Sequence, residues 1–365
     1  MSKREAPSRA RTVVLTLAAL GLVVAVSVVG LGLYNVSARA GHLPGVSWVL
    51  HTTFRNSVDL RAPPQSEAPD LTDPDLIALG AGHFDVACRM CHAAPGETRA
   101  ATVRTMVPEP PHITEAVESW NAGELFWIVR EGVKMSGMPA WPAPSREDEV
   151  WAVVAFLTSV GDMSGESYDA LTAQPETERA AVAFCATCHG SDGMSGNAQI
   201  PRLDIQNPGY LLTALQAFRN GMRASGIMQQ AASLVPEATL AELADHYGAQ
   251  PTGEASAEVD PALSEAGEAL AEARTGDTEV PACRACHGPW PERLSPDFPA
   301  LAGQHEHYLR KQLSLWKEGR RGGGPRSDLM HQAAADLTED EIAALAAYYA
   351  SLPPARLGAT EAAAR

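Results

Sequence analysis

Aromatic residues are scarce in this chain. Seven Trp, seven Tyr and seven Phe make up 6% of 365 residues that are 45% hydrophobic overall. Its cores must be filled by aliphatic side chains, or by something the chain does not encode. Positive charge is short as well. Twenty-eight Lys and Arg face 44 Asp and Glu, a net charge of −16, which makes the chain a poor candidate for binding nucleic acid, whose phosphates demand basic groups. No stretch reads as strand-rich. The apolar fraction excludes a mainly disordered chain, and 20% charged residues exclude a wholly membrane-embedded one. At ~150 residues per domain the length predicts two or three domains.

The N-terminus carries Lys3, Arg4, Arg9 and Arg11 against Glu5, and residues 13–34 then run without a charge. As a helix that run spans about 33 Å, enough for a ~30 Å hydrocarbon core. The basic flank places residues 1–12 in the cytoplasm and the rest outside. Ala38-Arg39-Ala40 has the form of a signal-peptide cleavage site, but the apolar run exceeds the usual ~7–15 residues of a signal core, so an uncleaved anchor is expected. Over residues 35–74, Val46, Val49, Leu50, Phe54 and Val58 recur at helical spacing. They predict a helix lying on the membrane surface or packed on the first domain. Pro63, Pro64, Pro69 and Pro74 predict a stiff linker.

The six cysteines are all used by three C-x-x-C-H motifs: Cys88, Cys91 and His92; Cys185, Cys188 and His189; Cys283, Cys286 and His287. This is the attachment sequence of c-type haem, in which two thiols add to the vinyl groups and the adjacent His reaches the iron. At this composition one such motif has a chance expectation of about 0.003. Zinc sites pair C-x-x-C elements ~15–20 residues apart, whereas these lie 97 and 98 residues apart. Disulfides would not need a His after each pair, and a thioredoxin-like pair explains one motif at most. Three covalently bound haem c groups are expected.

Shifted by 98 residues, the second motif region superimposes on the third. Pro201, Gln206, Tyr210, Leu211, Gly221 and Arg223 meet Pro299, Gln304, Tyr308, Leu309, Gly319 and Arg321, and Phe218 meets Trp316. Beyond a four-residue insertion the offset becomes 102, and Tyr247 meets Tyr349. Two such copies are tandem domains. Met330 is the sole methionine after the third motif, and its partner at offset 102 is Met228, whereas Met222 meets Arg320. Met228 and Met330 are therefore the expected sixth iron ligands. Among Met106, Met135 and Met138, the Gly137-Met138-Pro139 sequence favours Met138. Of the remaining histidines, His305 and His307 read as surface residues of a helix start, His246 aligns with Tyr348, and His331 adjoins Met330. His83 and His112 have no repeat partner. Met/His ligation raises the potential of iron and leaves no open position, which predicts electron transfer.

These motifs resemble class I cytochrome c three times over. Residues 176–353 resemble the tandem dihaem (c4-type) cytochromes of bacterial periplasms, through C-x-x-C-H-G, a Pro twelve residues after the His, Gln-x-x-x-Tyr-Leu, G-x-R, the late Met and a closing helix ending in Tyr. The resemblance implies that the carbonyls of Pro201 and Pro299 accept Nδ1–H of the proximal histidines. Residues 75–162 resemble a single-haem class I domain. They depart from the pair in having Ala93 after the motif and Pro108 sixteen residues past His92, so the partner of His92 stays open.

The expected fold is all-α: an anchor at 13–34, cytochrome c domains at 75–162, 171–250 and 264–353, an acidic linker at 251–263 and a tail at 354–365. Closing helices are expected at 146–160, 237–247 and 339–352, with capping boxes from Ser145 to Asp148 and from Thr338 to Glu341. The function this implies is that of a membrane-anchored periplasmic electron carrier and not an enzyme. It would link a quinol-oxidising complex or periplasmic dehydrogenase to a terminal oxidase or other acceptor, with redox proteins as partners and no small-molecule substrate. Two alternatives stand beside it. One is the triple-haem subunit of a membrane alcohol or aldehyde dehydrogenase, although Ala87 stands where those subunits carry an acid. The other is a haem peroxidase, which needs an iron with an open position. Charge is uneven: −6 over 71–160, −3 over 171–250, −7 over 251–280 and zero over 281–356. Lys317, Arg320, Arg321 and Arg326 cluster in the last, predicting a docking patch for acidic partners there and for basic partners on the first two domains.

Overall fold

The computed structural model describes residues 9–134, 136–254, 259–273, 282–288 and 297–354. Most of the basic tip, the alternative ligand Met135 and the tail beyond Pro354 lie outside them. Among the described residues every regular element is a helix. Helix α1 (Arg9–Gly30) buries no residue and is long and apolar enough to cross a membrane. It lies four residues earlier than the charge-free run predicts, because Gly30 and Gly32, the latter at φ 67°, end it.

Helix α2 (Val46–Arg61) docks on the group that follows: Phe54 meets the Trp120 ring edge-on at 5.5 Å, Arg55 lies over that ring at 4.5 Å, and Val58 is fully buried. Of the two readings of this helix, its second half matches the packed one. Its first half leaves Trp48, Val49 and Leu50 exposed.

The first helical group comprises α3 (Pro74–Ala87), α4 (Arg89–His92), α5 (Ile113–Ala116), α6 (Ala122–Glu131), α7 (Val150–Ser159) and α8 (Gly165–Thr172). Asp73 caps α3 by accepting Asp75 N–H, with Pro74 at the first helical position. Helix α3 crosses α7 at Gly80, where a Cβ would run into the Ala152 carbonyl. Phe84, Phe156 and Tyr168 close the core beneath that crossing. Tyr168 comes from α8 and donates to Asp85 at 2.8 Å. Packing of the first group thus continues past residue 162, where the sequence places the domain's end.

The second group comprises α9 (Ala180–His189), α10 (Pro208–Arg219), α11 (Gly226–Leu234) and α12 (Leu240–Gly248). The third comprises α13 (Pro261–Glu272), α14 (Cys283–His287), α15 (Glu306–Lys317), α16 (Ser327–Ala334) and α17 (Glu339–Ser351). In the third, α13 crosses α17 at Gly267 against the Ala344 carbonyl, repeating the Gly80 contact. Helix α9 has no glycine, runs unbroken into its motif, and packs Val182 on Leu240 and Leu243. The second group's core is the smallest of the three.

Thr338 and Glu341 form the expected capping box of α17. Ser145 and Asp148 do not. Residues Pro144–Glu149 form a 3₁₀ turn, and Asp148 instead receives Arg146, Lys311 and Arg320.

Candidate haem sites

All six cysteines are free thiols, partly exposed, at the ends of helices that place each His one turn after the first Cys. Burial pushes the Cys88 and Cys185 thiols up to about 12 and Cys188 to about 11, toward the protonated form. Among the described residues no group of three or more His, Cys, Asp or Glu could hold a metal ion.

Each motif histidine has its Nδ1 on a proline carbonyl: His189 on Pro201 at 3.2 Å, His287 on Pro299 at 3.1 Å, and His92 on Pro111 at 2.9 Å. A carbonyl only accepts, so Nδ1 carries the proton and Nε2 keeps a lone pair for a metal. Burial holds all three imidazoles below their ordinary range, opposed in part by that hydrogen bond. Pro111 was not identifiable from spacing. It lies nineteen residues after His92, whereas the tandem pair uses twelve. The residue after each motif turns the chain at positive φ: Gly190 at 76°, Gly288 at 74°, and Ala93 at 55°.

The second and third groups meet across a pseudo-twofold built from repeat-equivalent residues. Gln206 donates to the Ala300 carbonyl at 2.8 Å and accepts Ala300 N–H at 3.0 Å. Gln304 does the same to Arg202, at 3.0 and 2.9 Å. Arg202 and Ala300 directly follow the two prolines. Each glutamine thus ties its own group to the loop that orients the other group's histidine.

One cavity of about 920 Å³ joins the two sites. It is lined by both motifs, both prolines, and Met228 and Met330, which lie on α11 and α16. Arg223 and Arg321 reach it from repeat-equivalent positions, stacked over Phe218 at 4.4 Å and Trp316 at 4.5 Å. Arg223 donates to Tyr308 at 2.9 Å, and both arginines reach Tyr210 and Gln312. Among the described residues no carboxylate pairs with either guanidinium. Burial alone would raise the Tyr210 phenol, but the two cations outweigh it and hold it below its ordinary range. Buried positive charge of this kind requires an anion. Tyr247 and Tyr349, also repeat partners lining the cavity, bury hydroxyls without a hydrogen bond. An apolar macrocycle bearing carboxylates, such as haem, fits these features.

In the first group Met138 closes a tight loop: Val133 N–H donates to its carbonyl, and its N–H donates to Ser136 Oγ, both at 3.1 Å. The end of Met106 lies against Gly137. Met222 is exposed.

Two expectations about the third group need correction. His305 is buried and donates from Nε2 to the Ser195 carbonyl at 2.8 Å, joining the second and third groups instead of lying on the surface. The basic cluster is also not uniformly open. Arg321 is half-buried at the cavity, Arg320 binds Asp148 and the Ser145 carbonyl of the first group, Lys317 pairs with Glu339, and Arg326 stays exposed 3.7 Å from Asp297. Three of the other histidines have structural partners: His246 on the Ser191 carbonyl, His331 on the Trp316 carbonyl, and His112 on the Glu97 carbonyl.

Comparison with known proteins covers the motif-bearing part of the chain. Residues 75–157 match the family model described as Cytochrome C oxidase, cbb3-type, subunit III, and residues 264–353 match Cytochrome c. The thiosulfate dehydrogenase electron acceptor of Stutzerimonas stutzeri is 35% identical over 55% of this chain and 92% of its own length. Cytochrome c4 of Azotobacter vinelandii is 35% identical over 55% of this chain and 98% of its own. The crystal structure of reduced recombinant cytochrome c4 from Pseudomonas stutzeri aligns with a TM-score of 0.43 at 33% identity, over 47% of this chain and 94% of that one.

Proposed function

The chain belongs to the class I cytochromes c, electron-transfer proteins with covalent haem, and its C-terminal part is of the tandem c4 type; from this we propose a three-haem carrier held at the outer face of a bacterial cytoplasmic membrane by α1. Cys88 and Cys91, Cys185 and Cys188, and Cys283 and Cys286 attach the three groups. His92 and Met138, His189 and Met228, and His287 and Met330 hold the irons. Bound haem supplies reversible one-electron iron chemistry. The chain's own residues do the rest: Pro111, Pro201 and Pro299 fix the imidazole planes, and Arg223 and Arg321 compensate buried carboxylates between the second and third sites.

The observation that carries this reading is the pair of arginines, Arg223 buried and Arg321 half-buried, without a carboxylate partner among the described residues, set between two cysteine-histidine motifs in one cavity. The relatives named as electron acceptors of a thiosulfate dehydrogenase favour a periplasmic dehydrogenase as donor. The first group's likeness to an oxidase subunit favours a terminal oxidase on the acceptor side.

A pyridine haemochrome assay is expected to return three haems per chain. Met228→Ala and Met330→Ala should each lower the potential of one haem, because sulfur ligation raises it. An unchanged redox titration removes that methionine from the ligand set. Purification from the native membrane separates a free carrier from the subunit reading, since a stoichiometric catalytic subunit that copurifies would make the chain part of a dehydrogenase complex. A peroxide-reactive, high-spin iron would overturn six-coordination.

A further inference from the structure

Helix α3 has two working faces. Gly80, Ala81 and Phe84 pack into the first group's core. Leu76, Leu79, His83 and Val86, spaced by one helical turn, instead line the cavity that holds the second motif. Between them Gly82 faces Cys188, whose sulfur would lie 3.2 Å from a Cβ at that position. Cys88 follows Gly82 by six residues, about 9 Å along a helix axis. The first and second attachment sites are therefore joined by less than two turns of one helix.

The first group also holds both the His189 side and the Met228 side of the second site. On the histidine side, Asp75 accepts Ala198 N–H at 2.9 Å, and Asn197 donates to the Asp75 carbonyl at 2.7 Å. On the Met228 side, Glu149 accepts from Ser225 Oγ at 2.7 Å and from Gly226 N–H at 2.6 Å, at the N-terminus of α11. A carboxylate is favoured at that end of a helix. The Trp141 ring lies flush on Gly226, where a Cβ would strike it. Arg146 donates to the Ala224 carbonyl at 3.1 Å. Contacts with the third group are made by cations: Asp148 takes Lys311 at 2.9 Å and Arg320 at 2.7 Å, and Arg320 also donates to the Ser145 carbonyl.

We infer that the first group is a built-in redox partner seated on the Cys188 edge of the second site, through Gly82 and His83 in the middle and Asp75 and Glu149 on the two flanks. This inference rests on the three-haem reading above. It makes the second site an inner relay, closed to outside proteins on that edge, and leaves exchange with donors and acceptors to the first and third sites. Electrons would then pass between neighbouring sites, from the third through the second to the first. With haem held by His189 and Met228 and by His92 and Met138, each transfer would oxidise the second site from ferrous to ferric and reduce the first from ferric to ferrous. No bond changes and no proton moves.

The test uses the full chain, with haem counted before any kinetics, so that failure of the three-haem reading shows first and separately. One-electron flash reduction of the oxidised protein is followed at two protein concentrations. The wild type is expected to show two concentration-independent phases, one for each intramolecular contact. Gly82→Leu puts a side chain into the Cys188 contact, and Asp148→Arg repels Lys311 and Arg320. Each variant should lose one phase and keep the other. The Gly226 and Ile227 amides should lose hydrogen-exchange protection in the same variants, reporting that Glu149 has left. Should either variant stay docked or fail to load three haems, the Asp148→Arg/Glu149→Ala chain is read the same way. A wild type with a single phase overturns the inference. So do two unchanged phases in any variant whose Gly226 and Ile227 amides have become exchangeable.

Discussion

Ala93 occupies a backbone position that glycine fills after the other two motifs. With φ at 55° and ψ at 160° it lies where an L-residue costs on the order of 1–3 kcal/mol. Ala93→Gly should stabilise the first domain by about 1 kcal/mol, read from denaturant unfolding of the loaded chain. No gain would mean that its buried surroundings have relaxed the strain. Two further residues contribute to the response to acid. At Asp148 burial pushes the carboxyl up, but Arg146 and Lys311 outweigh it and hold it at about 2. Its folded value is thus below its unfolded one, so its stabilisation is complete at neutral pH and lost as pH falls from about 4 through 2. At ~1.4 kcal/mol per unit this is about 2 kcal/mol. Burial alone lowers His83 to about 4 from 6.5. Between those values the unfolded chain binds a proton that the folded one refuses, so stability falls with pH there too. His83→Leu should flatten the limb from pH 6.5 to 4 in a pH series of melting temperatures and leave the Asp148 limb. A slope unchanged by the substitution would show that His83 is not the group titrating. The cysteines and motif histidines were legible in the sequence because attachment chemistry dictates their spacing. Pro111 and Glu149 were not, because neither stands at a fixed distance from the residue it serves.

At the scale of elements, two helix crossings share one device. Gly80 in α3 and Gly267 in α13 let the closing helices α7 and α17 approach so near that a Cβ would meet a backbone carbonyl. Gly80→Val and Gly267→Val should each destabilise their own domain by about 1–3 kcal/mol or more, the cost of overpacking. Gly161→Ala, which meets nothing within 4 Å, is the control. Equal unfolding midpoints for all three would remove the crossings as determinants. The position of α2 followed from apolar periodicity, and the box from Thr338 to Glu341 followed from its sequence pattern. The parallel pattern at Ser145 failed because Asp148 has stronger partners in another domain than a local N–H. Local pattern decides a cap only where no distant charge competes for it.

For the whole molecule, the uneven charge read from the sequence stands, but its meaning changes. Among the described residues, Arg320 is engaged by Asp148, Lys317 by Glu339 and Arg321 by the central cavity, while Arg326 stays exposed beside Asp297. Arg320→Ala should therefore loosen the first domain, seen as faster exchange of the Gly226 amide, and should not slow reaction with an acidic partner. A selective loss of rate with acidic partners would restore the patch. Reaction with basic partners should weaken as salt rises, because the acidic surfaces of the first two domains remain outside.

The sequence by itself determined three attachment motifs, the tandem repeat and the all-helical class. Each is a matter of residue type at fixed spacing, and a repeat shows itself by comparison with its own copy. Only the tertiary structure decided how the domains sit together. Gly82 reaches Cys188 and Glu149 reaches Gly226 across separations of 106 and 77 residues, with no periodicity to announce them. Such contacts are chosen by shape and buried polarity once the helices have formed. The scarcity of aromatic bulk has its counterpart here as well: between the second and third domains the interior is a cavity of about 920 Å³, shaped for a group that the chain does not encode.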